Sequence, residues 1–171
     1  MTRLPLVLAL VAACPSPVEP TPPPPVDPAG VPVAESARGD VVEATFPLYG
    51  HGALTLEALR GKVVVVDLFS PHEDDWFEQH AAWRSLRAER AADLEVITVA
   101  MAVDDTRTVA LWDSEPPSHP LGWDPQGALA LRLGVSELPA LLVYDRQGRL
   151  AASGSDRDAA LRVATELLAT P

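Results

Sequence analysis

With 171 residues, 47% of them apolar, the chain suits one domain plus an extension. No apolar run reaches the roughly 20 residues of a membrane-spanning helix, so a transmembrane bundle is excluded. A formal net charge of -11 works against nucleic acid as a partner, and equally against direct contact with anionic head groups.

The first segment in chain order is "LPLVLALVAAC", a short apolar run behind Arg3 that ends in Val11, Ala12, Ala13 and the only cysteine of the chain, Cys14. A basic start, a short apolar stretch and small residues before a cleavage point are the grammar of a signal peptide. The "VAAC" ending resembles the lipobox of bacterial lipoproteins. That resemblance implies cleavage before Cys14 and acylation of Cys14, which anchors the chain to the lipid bilayer with more than the two signals stable attachment needs. It leaves the mature chain without a free thiol. The localisation that follows is the bacterial cell envelope with the domain in the periplasm. Pro15 after Cys14, where aspartate would retain a lipoprotein in the inner membrane, leans toward the outer membrane.

Half of the residues from Pro15 to Pro32 are proline. Such a segment favours extended polyproline II at about 3.1 Å per residue and reads as a spacer. The expected organisation is therefore a signal peptide over 1–13, a lipidated cysteine and linker over 14–40, and a folded domain over 41–171.

Within the domain, "VVEATFPLYG" reads as a short edge strand that tolerates Pro47, and "LTLEALRG" as one helical turn closed by Gly61. "KVVVVDLF" is the strongest strand, because four consecutive valines without alternation mark burial on both faces, as in a parallel sheet. "DDWFEQHAAWRSLRAERA" places Trp76, His80, Trp83 and Leu86 at helical spacing, with the aromatic rings and His80 expected in the core. Leu94 to Val103 reads as a second buried strand, "DDTRTVALWDS" as a helix, and "GALALRLGV" as a short helix ended by Gly134. Two strands, Ala140 to Tyr144 and Leu150 to Ser153, are joined by the turn "DRQG" into an antiparallel hairpin at one side of the sheet. The final helix, "SDRDAALRVATELLA", takes Ser155 or Asp156 as N-cap. A βαβ start and a ββα finish predict an α/β fold, a mixed central sheet with helices on both faces.

This order, together with "LTLEALRGKVVVVDLFS" and "LGVSELPALLVYDRQGRL", resembles the thioredoxin-like fold of the TlpA/ResA-like family of membrane-tethered periplasmic thiol-disulfide oxidoreductases, over roughly Phe46 to Ala169. The resemblance implies a cis peptide bond between Leu138 and Pro139, with Pro139 facing the active site. It also implies a W-C-x-x-C motif at the start of the first long helix. Aligned on "VVVVDLFS", His72 stands at that tryptophan, Glu73 at the first cysteine and Trp76 at the second. Disulfide exchange needs a thiolate, which neither a carboxylate nor an indole supplies. The expectation is a degenerate, redox-inactive member, with no catalytic residue assigned; the alternative that the resemblance implies is a thiol-disulfide oxidoreductase acting through a partner's cysteines.

The stretch "HEDD", His72 to Asp75, has two readings. Ser70, Pro71 and Glu73 fit the N-cap, N1 and N3 positions of a capping box, and Glu73, Asp74 and Asp75 suit the positive end of the helix dipole. Alternatively His72, Glu73 and Asp75 are the candidates for a divalent-metal site, with Asp74, Asp67 or His119 in support. Without a Walker loop or a G-x-G-x-x-G, no cofactor is expected. His51 in "YGHGA" is expected to be solvent-exposed. By the resemblance, Trp76, Ser136, Glu137, Leu138 and Pro139 form a groove for an envelope protein or peptide, the expected partner, with Trp76 either an exposed anchor there or turned inward to fill the space.

Overall fold

The computed structural model describes residues 39–49, 52–70, 76–101, 106, 110 and 119–170, and for 76–80 the backbone alone. The expected signal peptide, lipidated Cys14 and linker lie outside these residues, as do the side chains of Trp76 and His80, all of His51, and His72 to Asp75.

β3, Val63–Phe69, is buried along its whole length. It pairs in parallel with β4, Leu94–Ala100, and antiparallel with β6, Ala140–Tyr144. Outside these lie β5, Leu121–Trp123, parallel to β4, and β7, Leu150–Gly154, antiparallel to β6. The mixed sheet has the order β5-β4-β3-β6-β7. The valine run thus lies at the centre of the sheet, as its lack of alternation requires.

Both faces of β3 carry a core. Val64, Val66 and Leu68 join Phe46, Leu56, Ile97, Leu142 and Tyr144 on one side. On the other, Val63 and Val65 meet Trp83 of α1, Trp76–Arg90, and Ala160, Ala164 and Leu168 of α3, Arg157–Ala169. The short α2, Ala128–Arg132, covers the first face with Leu129 and Ala130. Helices therefore flank the sheet on both sides. Trp83 is buried and Leu86 packs against the same cluster, the helical stripe that the sequence spacing predicts.

Several local expectations hold for visible reasons. In the β6–β7 turn the Asp145 carboxylate accepts from the amides of Gln147 and Arg149 at 2.9 and 2.8 Å. Gly148 takes φ 73°, where a Cβ would also collide with Arg60. Asp156, not Ser155, is the N-cap of α3, accepting from the Ala159 amide at 2.9 Å.

Three expectations are corrected. "VVEATFPLYG" contributes β1, Thr45–Pro47, but β1 pairs with β2, Ala53–Thr55, in a separate two-stranded ribbon. The helical turn of "LTLEALRG" is a 3-10 turn at Glu57–Leu59 only, because Leu54 and Thr55 are taken by β2. β4 ends at Ala100, three residues before Val103, where its pairing with Phe69 of β3 and Trp123 of β5 runs out. β5 itself is unforeseen. Of "DDTRTVALWDS", Thr106 and Ala110 are described, and both are helical.

Candidate binding site at the carboxyl end of the central strand

The pairing of Leu68 with Ala140 fixes what stands at the end of β3. It brings the loop Ser136 to Pro139, which leads into β6, alongside the point where β3 hands over toward α1. The bond between Leu138 and Pro139 is cis. Ser136 and Glu137 are exposed, Leu138 is 37% exposed, and Pro139 is half-buried. The loop therefore offers polar groups and one apolar side chain to solvent, on a base held by a buried strand. Four of the five expected groove residues, Ser136, Glu137, Leu138 and Pro139, are thus contiguous at this end. The fifth, Trp76, is the first described residue of α1, and its side chain lies outside the described residues.

Behind the loop, on the face opposite α1, is an open groove of about 330 Å3 whose lining includes Leu133, Val135, Pro139, Leu142, Leu150 and Ser153. It is floored by the β6–β7 hairpin and walled by the chain that leaves α2. Gly134, with φ 72°, ends α2 and turns the chain toward Pro139, while the Val135 amide bonds back to the Ala130 carbonyl at 2.9 Å.

A polar group that sequence reasoning placed only among supporting metal ligands lies on the α1 face. Asp67 is fully buried on β3 and stands opposite Thr98, also fully buried, in the parallel register. The Thr98 hydroxyl shares a hydrogen bond of 2.7 Å with His119 Nε2, and His119 is itself buried. Burial, and next the Arg87 guanidinium, push the His119 imidazole down to about 4; Glu95 opposes this and Arg84 adds to it. The ring is therefore neutral at physiological pH. Arg87 is committed to Glu95, Nε to Oε1 at 2.7 Å, beside it. Asp124, also buried, accepts from the Ala130 amide at 2.9 Å and so ties β5 to α2.

The metal reading draws no support from these positions. His119 is engaged with Thr98, and among the described residues no three His, Cys, Asp or Glu side chains are gathered to hold an ion. His72, Glu73 and Asp75 lie outside the described residues, as does the capping box apart from Ser70.

Among solved structures, a protein from Chlorobium tepidum that carries the name thiol:disulfide interchange protein DsbE superposes with a TM-score of 0.69 at 19% identity, covering 77% of this chain and 98% of its own. This is a thioredoxin-like fold. The thioredoxin-like domain also matches a protein from Bacteroides thetaiotaomicron named as a protein disulfide isomerase, with a TM-score of 0.62, 21% identity and coverage of 78% and 91%. A third match is the exposed lipoprotein thioredoxin of Streptococcus pneumoniae, with a TM-score of 0.61, 18% identity and coverage of 73% and 99%. The chain matches no protein-family model and no curated protein. These neighbours carry the names of thiol-disulfide oxidoreductases, and at such identities the likeness to them is one of fold.

Proposed function

We propose that this chain is a lipid-anchored envelope protein whose thioredoxin-like domain holds a protein or peptide partner and does not exchange disulfides itself. The observation that carries this reading is the pairing of an exposed Leu138 beside cis-Pro139 with a domain that contains no cysteine, Cys14 being the only one in the chain. An exposed apolar side chain beside a cis-proline supports the holding of an extended chain, and a domain sequence without a thiol supports the lack of disulfide exchange. The "VAAC" run supports lipid attachment at Cys14. A lipoprotein thioredoxin among the structural neighbours is consistent with an anchored envelope domain.

The test combines two measurements. An insulin-reduction assay of the folded chain is expected to give no turnover above background. Capture of the lipidated protein from its own envelope after brief crosslinking is expected to yield a partner that a Trp76→Ala, Leu138→Ala double variant loses. Turnover would restore the oxidoreductase reading. A partner retained by the variant would move binding to another face.

A further inference from the structure

The groove of about 330 Å3 behind the Leu138 loop has an uneven chemistry. Its floor is apolar, formed by Leu133, Val135, Leu142 and Leu150, and the three leucines are buried. Its rim is polar, with Ser136 and Glu137 on the loop and Ser153 and Ser155 around the end of β7, all four exposed. Among the described lining residues Glu137 is the one ionisable side chain. The charged residues next to the lining in sequence are Arg132, at the end of α2, and Asp156 and Arg157, at the start of α3; none of the three lines the groove. Asp156 and Arg157 carry opposite charges, and Asp156 is held by the Ala159 amide at 2.9 Å.

This arrangement sorts three classes of occupant. An acidic segment laid along the groove sets like charges side by side at Glu137, which costs affinity. A neutral apolar segment covers the Glu137 carboxylate without replacing the water it loses. A segment with an apolar side chain for the floor and a Lys or Arg for Glu137 incurs neither cost. In an extended chain residues i and i+2 share a face, so the two side chains need be only two positions apart. The formal net charge of -11 also draws cations toward the chain at low salt.

We propose that the groove selects a basic extended segment, with an apolar residue on the floor of Leu133, Val135, Leu142 and Leu150 and a Lys or Arg paired to Glu137. This rests on the reading of the domain as the holder of an extended partner, and adds the chemistry of the partner it holds.

The experiment is fluorescence anisotropy on the full mature chain with two labelled nine-residue probes, AARALARAA and AAEALAEAA. Wild type is expected to prefer the basic probe, Glu137→Gln to bind that probe about fivefold more weakly, and Glu137→Lys to reverse the order. Glu166→Lys makes the same change of net charge at an exposed position of α3 outside the lining, and is expected to keep the wild-type order. Reversal by Glu166→Lys as well would overturn the proposal, since the field of the whole chain would then suffice. So would equal binding of both probes by wild type and Glu137→Lys, which would leave a peptide site without charge selection. Binding of neither probe by wild type would overturn the partner reading beneath the proposal, and the proposal with it.

Discussion

The two halves of β3 lie in one sheet and are equally buried, yet they meet different neighbours. At its start, Val63 and Val65 face Trp83, Leu94, Val96 and Ala164, an entirely apolar contact. At its end, on the same face, Asp67 stands opposite Thr98, which is bonded to His119, and the next strand over begins at the cis-Pro139 loop. On this face the first half is packed by apolar side chains alone. The second half holds polar groups in low-dielectric surroundings, where they are costly unless partnered, and this is the end that carries the exposed loop.

The largest effect is expected from Trp83→Ala, which removes the largest fully buried side chain from the apolar half. Loss of its contacts and the cavity left behind should cost about 3–5 kcal/mol, read from urea unfolding. A loss under about 1 kcal/mol would mean that α1 does not carry the core and that the contrast between the halves is false.

His119 probes the other half. Its folded value of about 4 lies below the 6.5 of an exposed imidazole. The unfolded chain therefore binds the proton more readily between those values. The stabilisation tied to the neutral ring is fully present above pH 6.5 and is lost as pH falls toward 4, by up to about 3 kcal/mol. Carboxylates titrate in the same window, so the measurement is the difference between wild type and His119→Gln in denaturant unfolding at pH 7, 5.5 and 4.5. A variant with the parent's slope would remove His119 as the source.

Thr98→Val is expected to cost about 2 kcal/mol at pH 7, because the buried imidazole loses the hydroxyl at 2.7 Å while the side-chain shape is nearly kept. In a double-mutant cycle with His119→Gln, the two changes should couple, since they share one hydrogen bond. Additive costs would show that the contact contributes nothing.

The same division explains what could be read from the sequence. The apolar half announces itself locally: "VVVV" marks a strand buried on both faces, and the spacing of Trp83 and Leu86 marks the helix stripe above it. The "DRQG" turn and the Asp156 cap are equally local, each closed by hydrogen bonds within four residues. β5 was illegible because three residues centred on Gly122 carry neither alternation nor an apolar run, and its existence depends on pairing with β4. Thr98 and His119 are 21 residues apart, and only the parallel register places Asp67 opposite Thr98. Asp67 inside "VVVVDLF" was the one available signal, since a carboxylate in a strand buried on both faces requires a polar neighbour. The cis bond at Pro139 came from resemblance, not from local sequence.

The smallest effect on stability is expected at Leu138, and there the smallness is informative. Its side chain is 37% exposed on a loop, so Leu138→Ser removes little buried area and should change unfolding by less than about 0.5 kcal/mol. If the loop is the contact surface, the same substitution should still weaken crosslinked capture of the partner several-fold, because an apolar anchor in a desolvated contact matters far more to binding than an exposed one does to folding. A stability loss above about 2 kcal/mol would instead make Leu138 part of the packing. The loop beside the carboxyl end of β3 would then be packing instead of contact surface, and the contrast between the polar end and the apolar beginning would weaken.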